Sequence, residues 1–192
     1  MFELATETAL LLALAAFVAG FIDSIAGGGG LISMPALLLA GLSPVEALGT
    51  TKWQSLWGSG SATLAYASKG HIELRAYLPF AIVSALGAAL GAYFATRVPG
   101  EWMEAFLPLL LIAIALYFAF KPNMSDIDRH HRISPRLFGT TVVPAIGFYD
   151  GVFGPGTGSF FMLCLVSLMG FGVLKATAHT KLLNLASNIG SF

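Results

Sequence analysis

The sequence predicts an all-α protein, a polytopic bundle of transmembrane helices with an internal two-fold repeat and glycine-broken half-helices. Three observations predict it. The 192 residues are 56% hydrophobic and 10% charged, with a mean hydropathy of +0.79, whereas average soluble domains carry about 25% charged residues. Apolar runs close to the ~20 residues that a bilayer requires recur along the whole chain, so a single buried core helix does not account for them. The chain also says nearly the same thing twice. GFIDSIAGGGG at 20–30 and ALGTTKWQSLWGS at 47–59 return as GFYDGVFGPGTGS at 147–159 and ATAHTKLLNLASN at 176–188. Asp23 answers to Asp150 at an offset of 127, and Thr51-Lys52 to Thr180-Lys181 at an offset of 129. A repeat built on Gly-interrupted apolar segments points to the binding site of a transporter.

The elements follow in order. Helical segments are expected at 8–26, 31–42, 45–68, 76–96, 102–120, 137–153, 159–170 and 174–192. Of these, 8–26, 45–68, 76–96 and 102–120 are long enough to span a bilayer. The segments 31–42 and 159–170 are too short. Each follows a glycine-rich break, as expected of a half-helix buried by protein rather than lipid. Pro35 and Pro79 read as kink or first-turn prolines. Trp53 and Trp57, which have no second-copy counterparts, either narrow the pathway or pack between helices, and packing is the preferred reading.

The copies are divided by the polar linker KPNMSDIDRHHRISPR. The domain reading is therefore a first repeat at 1–120, a linker at 121–136 and a second repeat at 137–192. The second copy has no counterpart of the spans at 76–96 and 102–120, so the chain is expected to lack the end of its second half. Lys121, Arg129, Arg132 and Arg136 make the linker the most basic connection. Two spans separate it from the loop with Lys69 and Arg75, which puts both on one side, the cytoplasm by the positive-inside rule. Glu3 and Glu7 precede the first apolar run and no Lys or Arg does, so that run is expected to stay in the mature protein rather than act as a signal peptide.

Composition also excludes. Ten acidic and ten basic residues balance, and the bases are scattered, so no nucleic-acid surface forms. Cys164 sits in an apolar run and reads as a small hydrophobe. His71, His130 and His131 lie in loops, and His179 has no Glu at metalloprotease spacing. No catalytic set, metal site or cofactor is called for, and the chain is not read as an enzyme.

Four charges stand inside apolar segments: Asp23, Lys52, Asp150 and Lys181. A charge at the centre of a membrane helix is disfavoured by about 2.5–3.5 kcal/mol on insertion scales, so each must face a partner or a cavity. Pairing of Asp with Lys inside each copy, as packing glue, is the plainer alternative. Lys52, Ser55 and Ser59 share one helix face, and so do Lys181, Asn184 and Asn188, giving two polar stripes expected to face the bundle interior. The breaks Gly27-Gly28-Gly29-Gly30 and Gly154-Pro155-Gly156-Thr157-Gly158 precede the two short helices, whose N-terminal N–H groups can face an anion. Together these parts suggest a small-anion site near mid-membrane. Its candidate binding residues are Gly28, Gly29, Gly30, Thr51, Lys52, Ser55, Gly156, Thr157, Gly158, Thr180, Lys181, Asn184 and Asn188. Asp23 and Asp150 would hold the lysines or carry a coupled proton.

The pattern G-F-x-D-x-x-x-G-G-G-G then A-L-G-T-T-K, repeated as G-x-x-D-G-x-x-G-P-G-T-G then A-x-x-x-T-K-x-x-N-x-x-S-N, resembles the TauE/SafE sulfite exporter family of membrane permeases. The resemblance covers essentially the whole chain. It implies a polytopic protein of the bacterial inner membrane that moves sulfite, sulfoacetate or related organosulfur anions, or other small carboxylates. It carries over the two glycine-rich loops and the Asp, Thr-Lys and Asn positions just quoted. The expected partners are the lipid bilayer, a small anion and protons as coupling ion. An accessory or structural membrane subunit without transport of its own is the alternative.

Overall fold

A computed structural model describes residues 6–25, 27–119 and 130–192. The part of the linker at 121–129 lies outside the described residues. Among the described residues every regular element is helical. α1 (Thr6–Ile25), α2 (Gly30–Leu39), α3 (Pro44–Ser68), α4 (Leu74–Ala95) and α5 (Gly100–Ala119) precede the linker. After it, α6 (Pro135–Leu137) runs through a π-helical turn (Phe138–Val142) into α7 (Val143–Val152), followed by α8 (Thr157–Ser167) and α9 (Val173–Ser191).

Local chemistry explains several boundaries. α3 opens on a capping box: Ser43 accepts from Glu46 N–H, and Glu46 accepts in return from Ser43 N–H at 2.9 Å. Pro44, with no N–H to donate, occupies the first turn. Pro144 plays a different part. It cannot donate to the carbonyl four residues back, and the backbone slips instead into wider hydrogen bonding, Val143 N–H reaching Phe138 O. The hydroxyls of Thr140 and Thr141 cover Arg136 O and Leu137 O at 2.9 and 2.6 Å. The predicted segment 137–153 is thus one continuous rod with a π-turn inside it. Pro35 and Pro79 both lie inside helices rather than at their first turns.

The bundle is inside-out relative to a soluble domain. α1, 20 residues long, and α4, 22 residues long, contain 18-residue stretches of mean hydropathy 2.1 and 1.8, each long and apolar enough to cross a membrane. α1 buries only Ala19 and Asp23, while Leu10, Leu11, Leu14, Phe17 and Phe21 stand exposed. Asp150, Lys52, Lys181, Asn184 and Asn188 are buried. Burying charge while exposing leucine and phenylalanine is unfavourable in water and suits lipid, so this is an integral membrane protein. Trp53 and Trp57 join the exposed surface at 51% and 66%, edge to face with centroids 5.8 Å apart. They pack on each other, and Trp53 also meets Phe192 at the end of α9, so both stand largely on the exposed face and Trp53 touches a second helix end.

Contacts fix the helix directions. Gln54 on α3 donates to Ala16 O on α1 at 2.7 Å, and farther along both helices Gly58 lies against Asp23, so α1 and α3 run together. α9 runs against α3, with Gly60 beside Leu185 and Trp53 beside Phe192. α4 lies parallel to both α7 and α9. Its seam with α7 is backbone on backbone: a Cβ on Gly91 would sit 2.1 Å from Phe148 O, and one on Gly151 2.1 Å from Ala88 O. Gly87 and Gly147 make the same close approach one turn earlier, the small-xxx-small geometry of membrane helix pairs.

Two apolar clusters flank the middle. One gathers Tyr77, Phe138, Phe161, Leu165, Met169 and Leu183, and the other gathers Met34, Leu48, Met103, Leu107 and Leu111. At one end of the bundle, His179 accepts from Glu73 N–H at 3.3 Å and lies 2.8 Å from Lys175 O, its ring 4.0 Å from that of Tyr77. Lys175 pairs with Glu73 at 2.8 Å and covers the Phe171 ring. His131, at the end of the linker, lies 2.5 Å from Met169 O, and its ring is 6.1 Å from that of Phe171. The 69–75 loop and the end of the linker therefore share this end.

Candidate functional site

The two glycine breaks cross each other at the centre of the bundle. A Cβ added to Gly27 would lie 2.9 Å from Gly158 Cα, and one on Gly158 2.9 Å from Gly27 Cα. Only bare backbone permits that approach, and Gly27 holds φ +76° besides. Gly30 abuts Pro155, and the Ser159 hydroxyl donates across the crossing to Gly27 O at 3.0 Å. The N-termini of α2 and α8 consequently meet in the protein interior, each ending a helix too short to span the bilayer.

The four buried charged residues gather around this crossing, and the lysine contacts run between the two copies. Lys52 on α3 meets Asp150 on α7, Nζ to Oδ1 2.5 Å, with both side chains at most 4% exposed. Lys181 on α9 donates to the backbone carbonyl of Asp23 on α1, which also accepts from Gly27 N–H. Pairing within each copy, the plainer alternative, does not form among the described residues. Two aspartates and two lysines leave the cluster formally neutral.

The aspartates are held differently. Asp23 Oδ1 accepts from Gly28 N–H at 3.1 Å and from Gly29 N–H at 3.3 Å, so the carboxylate caps the start of α2 itself. The sequence reading offered those N–H groups to a bound anion, but an internal anion already takes them. Pro155 stands five residues beyond Asp150, as Gly28 stands five beyond Asp23, and proline has no N–H to give. Asp150 Oδ2, Asp23 Oδ2 and Thr180 Oγ1 are buried with no hydrogen-bond partner among the described residues, and Lys52 Nζ has its ion pair but no aligned hydrogen bond.

A narrow cavity of about 20 Å³ opens among these groups, room for about one water molecule. Of the residues expected at a site, Asp23, Gly28, Gly30, Thr51, Lys52, Ser55, Asp150, Gly156, Thr157, Gly158, Asn184 and Asn188 line it. Gly29, Thr180 and Lys181 do not. Lys52 is thus the lysine that faces the cavity, while Lys181 is turned to Asp23. Both polar stripes point inward. Ser59, fully buried, stays off the cavity and donates to Ser55 O at 2.5 Å. Asn188 donates to Asn184 O at 2.8 Å.

Gly154 was not among the expected site residues, yet it lines the cavity. Its position at φ +85° brings Lys52 Nζ within 3.5 Å of where a Cβ would stand. The signal was present, since Gly154 begins the second glycine run. The linker's His130-His131 pair does not join a metal cluster: no group of three His, Cys, Asp or Glu side chains gathers among the described residues.

Residues 12–192 match the family described as Sulfite exporter TauE/SafE. The chain is 64% identical over its full length to a probable membrane transporter protein of Sinorhizobium, covering 74% of that relative. It is 49% identical over 92% of its length to a probable membrane transporter protein of Haemophilus influenzae, covering 69% of it. With one of Escherichia coli K12 it shares 45% identity over 91% of its length, covering 65% of that relative. No solved structure matches the chain.

Proposed function

As this chain belongs to the sulfite exporter TauE/SafE family of membrane transporters, we propose that it carries small oxyanions, sulfite or organosulfonates, through the cavity at the crossing of its two glycine breaks. The observation that carries this reading is the buried Lys52–Asp150 pair facing that cavity. A buried cation that pairs with a single carboxylate beside a cavity can exchange that partner for a soluble anion. Thr51, Ser55, Thr157, Asn184 and Asn188 supply hydrogen-bonding groups around it, and the apolar exterior keeps the charge exchange away from lipid.

The halves 1–120 and 137–192 act in this reading as two copies of one unit in inverted orientation. The antiparallel course of α3 and α9 supports it, and so do the Lys52–Asp150 pair between the halves and the meeting of the α2 and α8 N-termini. The linker 121–136 lies on the cytoplasmic side of a bacterial inner membrane, consistent with its basic residues, and protons accompany the anion. With room for about one water in the cavity, passage requires the walls to part. Reconstituted chain should move sulfite across proteoliposome membranes, and Lys52→Ala should abolish that flux. Flux surviving Lys52→Ala would overturn the site. A wild-type chain inert toward sulfite, sulfoacetate, thiosulfate and small carboxylates would favour the accessory-subunit alternative.

A further inference from the structure

We propose that the two buried aspartates have divided roles: Asp150 takes up the proton that accompanies anion entry, and Asp23 is a fixed strut. The proposal rests on the reading of the cavity as an anion site. Asp23 is held three ways, by Gly28 N–H and Gly29 N–H on its carboxylate and by Lys181 on its carbonyl. Among the described residues the Asp150 carboxylate is held by Lys52, and Pro155 gives no N–H where Gly28 gives one. Its second oxygen, like that of Asp23, finds no hydrogen-bond partner among the described residues, although the residue is 2% exposed. Of the two lysines, only Lys52 lines the cavity. An anion entering the cavity therefore meets one exchangeable pair, and it is Lys52–Asp150.

The exchange balances without another reactant. The Lys52–Asp150 contact opens and Lys52 pairs with the entering monoanion. The freed carboxylate, buried and without a cation, takes one proton from water and becomes a carboxylic acid. An unpaired buried charge is strongly disfavoured, so anion and proton enter together and leave together, and the charge of the site does not change. The ionisable groups around Asp150 are Lys52 from α3, Asp23 from α1 and its neighbour Tyr149 on α7, whose hydroxyl donates to Pro155 O at 2.6 Å. Lys181 of α9 faces Asp23. α4 meets α7 through Ser84, Gly87, Ala88 and Gly91, and α8 brings Thr157, none of which titrates.

The test is calorimetric titration of the purified chain in detergent with methanesulfonate. This anion of a strong acid stays ionised near neutral pH, so any proton taken up belongs to the protein. Repeating the titration in two buffers of different ionisation enthalpy counts protons. The wild type should take up about one proton per bound monoanion. Asp150→Asn should bind more tightly, having lost the internal competitor for Lys52, and take up none. Pro155→Gly restores an N–H five residues beyond Asp150 and should reduce both affinity and proton uptake, which decides the matter if Asp150→Asn fails to fold. Binding by the wild type without proton uptake, or unchanged uptake in Asp150→Asn, would overturn the proposal while leaving the anion site intact. Failure of the wild type to bind methanesulfonate or sulfite would remove the site itself, and this proposal with it.

Discussion

Replacing Lys52 by methionine keeps the length of the side chain and removes its charge. With Nζ and Oδ1 2.5 Å apart, the attraction is about 7 kcal/mol at an effective dielectric near 20. Taking two ions out of water costs several kcal/mol for each, so the intact pair adds little net stability. Removing one member is another matter, because it strands a buried carboxylate at a penalty of about 3–5 kcal/mol. Lys52→Met alone should therefore lower the melting temperature in detergent by roughly 6–20 °C, at ~2–4 °C per kcal/mol for a chain of this size. Asp150→Asn alone should lose stability for the mirror-image reason. The double variant leaves no stranded charge and should recover most of what either single variant loses. Melting curves followed by circular dichroism on the four proteins make a complete cycle. If the losses of the two single variants simply add in the double, the pair is not coupled and the charge reasoning fails.

Two further outcomes follow from particular contacts. Asp23→Ala leaves Gly28 N–H and Gly29 N–H without their acceptor, a loss of about 2–6 kcal/mol for two orphaned donors; amide hydrogen exchange at both glycines should speed up, while unchanged protection would mean that Asp23 does not cap α2. Glu73, half exposed at the end of the bundle, has its carboxyl held below the usual carboxylate range first by the hydrogen bond from Lys175, with burial opposing. A depressed carboxylate lends stability above its unfolded value and loses it as pH falls, so the advantage of wild type over Glu73→Gln should be present at neutral pH and decline once the pH falls below the unfolded glutamate value of about 4.3; its size for so exposed a pair is at most about 1 kcal/mol, and melting temperature against pH measures it.

The helices were legible because glycine and proline punctuate them sharply. The breaks at Gly27 and Gly154 set the ends of α1 and α7 within a few residues. The inward course of Lys52–Ser55 and Lys181–Asn184–Asn188 followed from helical spacing alone. Partner choice was not legible. Lys52 and Asp150 are distant in sequence, and their meeting depends on how α3 and α7 are placed in the bundle, which no local pattern encodes. The capping of α2 by Asp23 could have been read, since Asp followed by two glycines at the fifth and sixth positions is a local arrangement. The π-turn also left a trace, in Thr140-Thr141 ahead of Pro144. Trp53 and Trp57 misled because a tryptophan on a polar-striped helix suits the interior and the lipid face equally.

The crosswise pairing has a consequence for biosynthesis. Asp150 is made 98 residues after Lys52, about 5–20 seconds later at ordinary rates of synthesis. Through that interval α3 holds a lysine without the carboxylate it pairs with in the finished bundle, and α1 waits longer still for Lys181. The early helices must linger near water, or be sheltered by the insertion machinery, until their counterparts emerge. Charge closure is then a late event that seals the nascent protein, and a chain that fails to reach it carries a stranded charge by which quality control could recognise it.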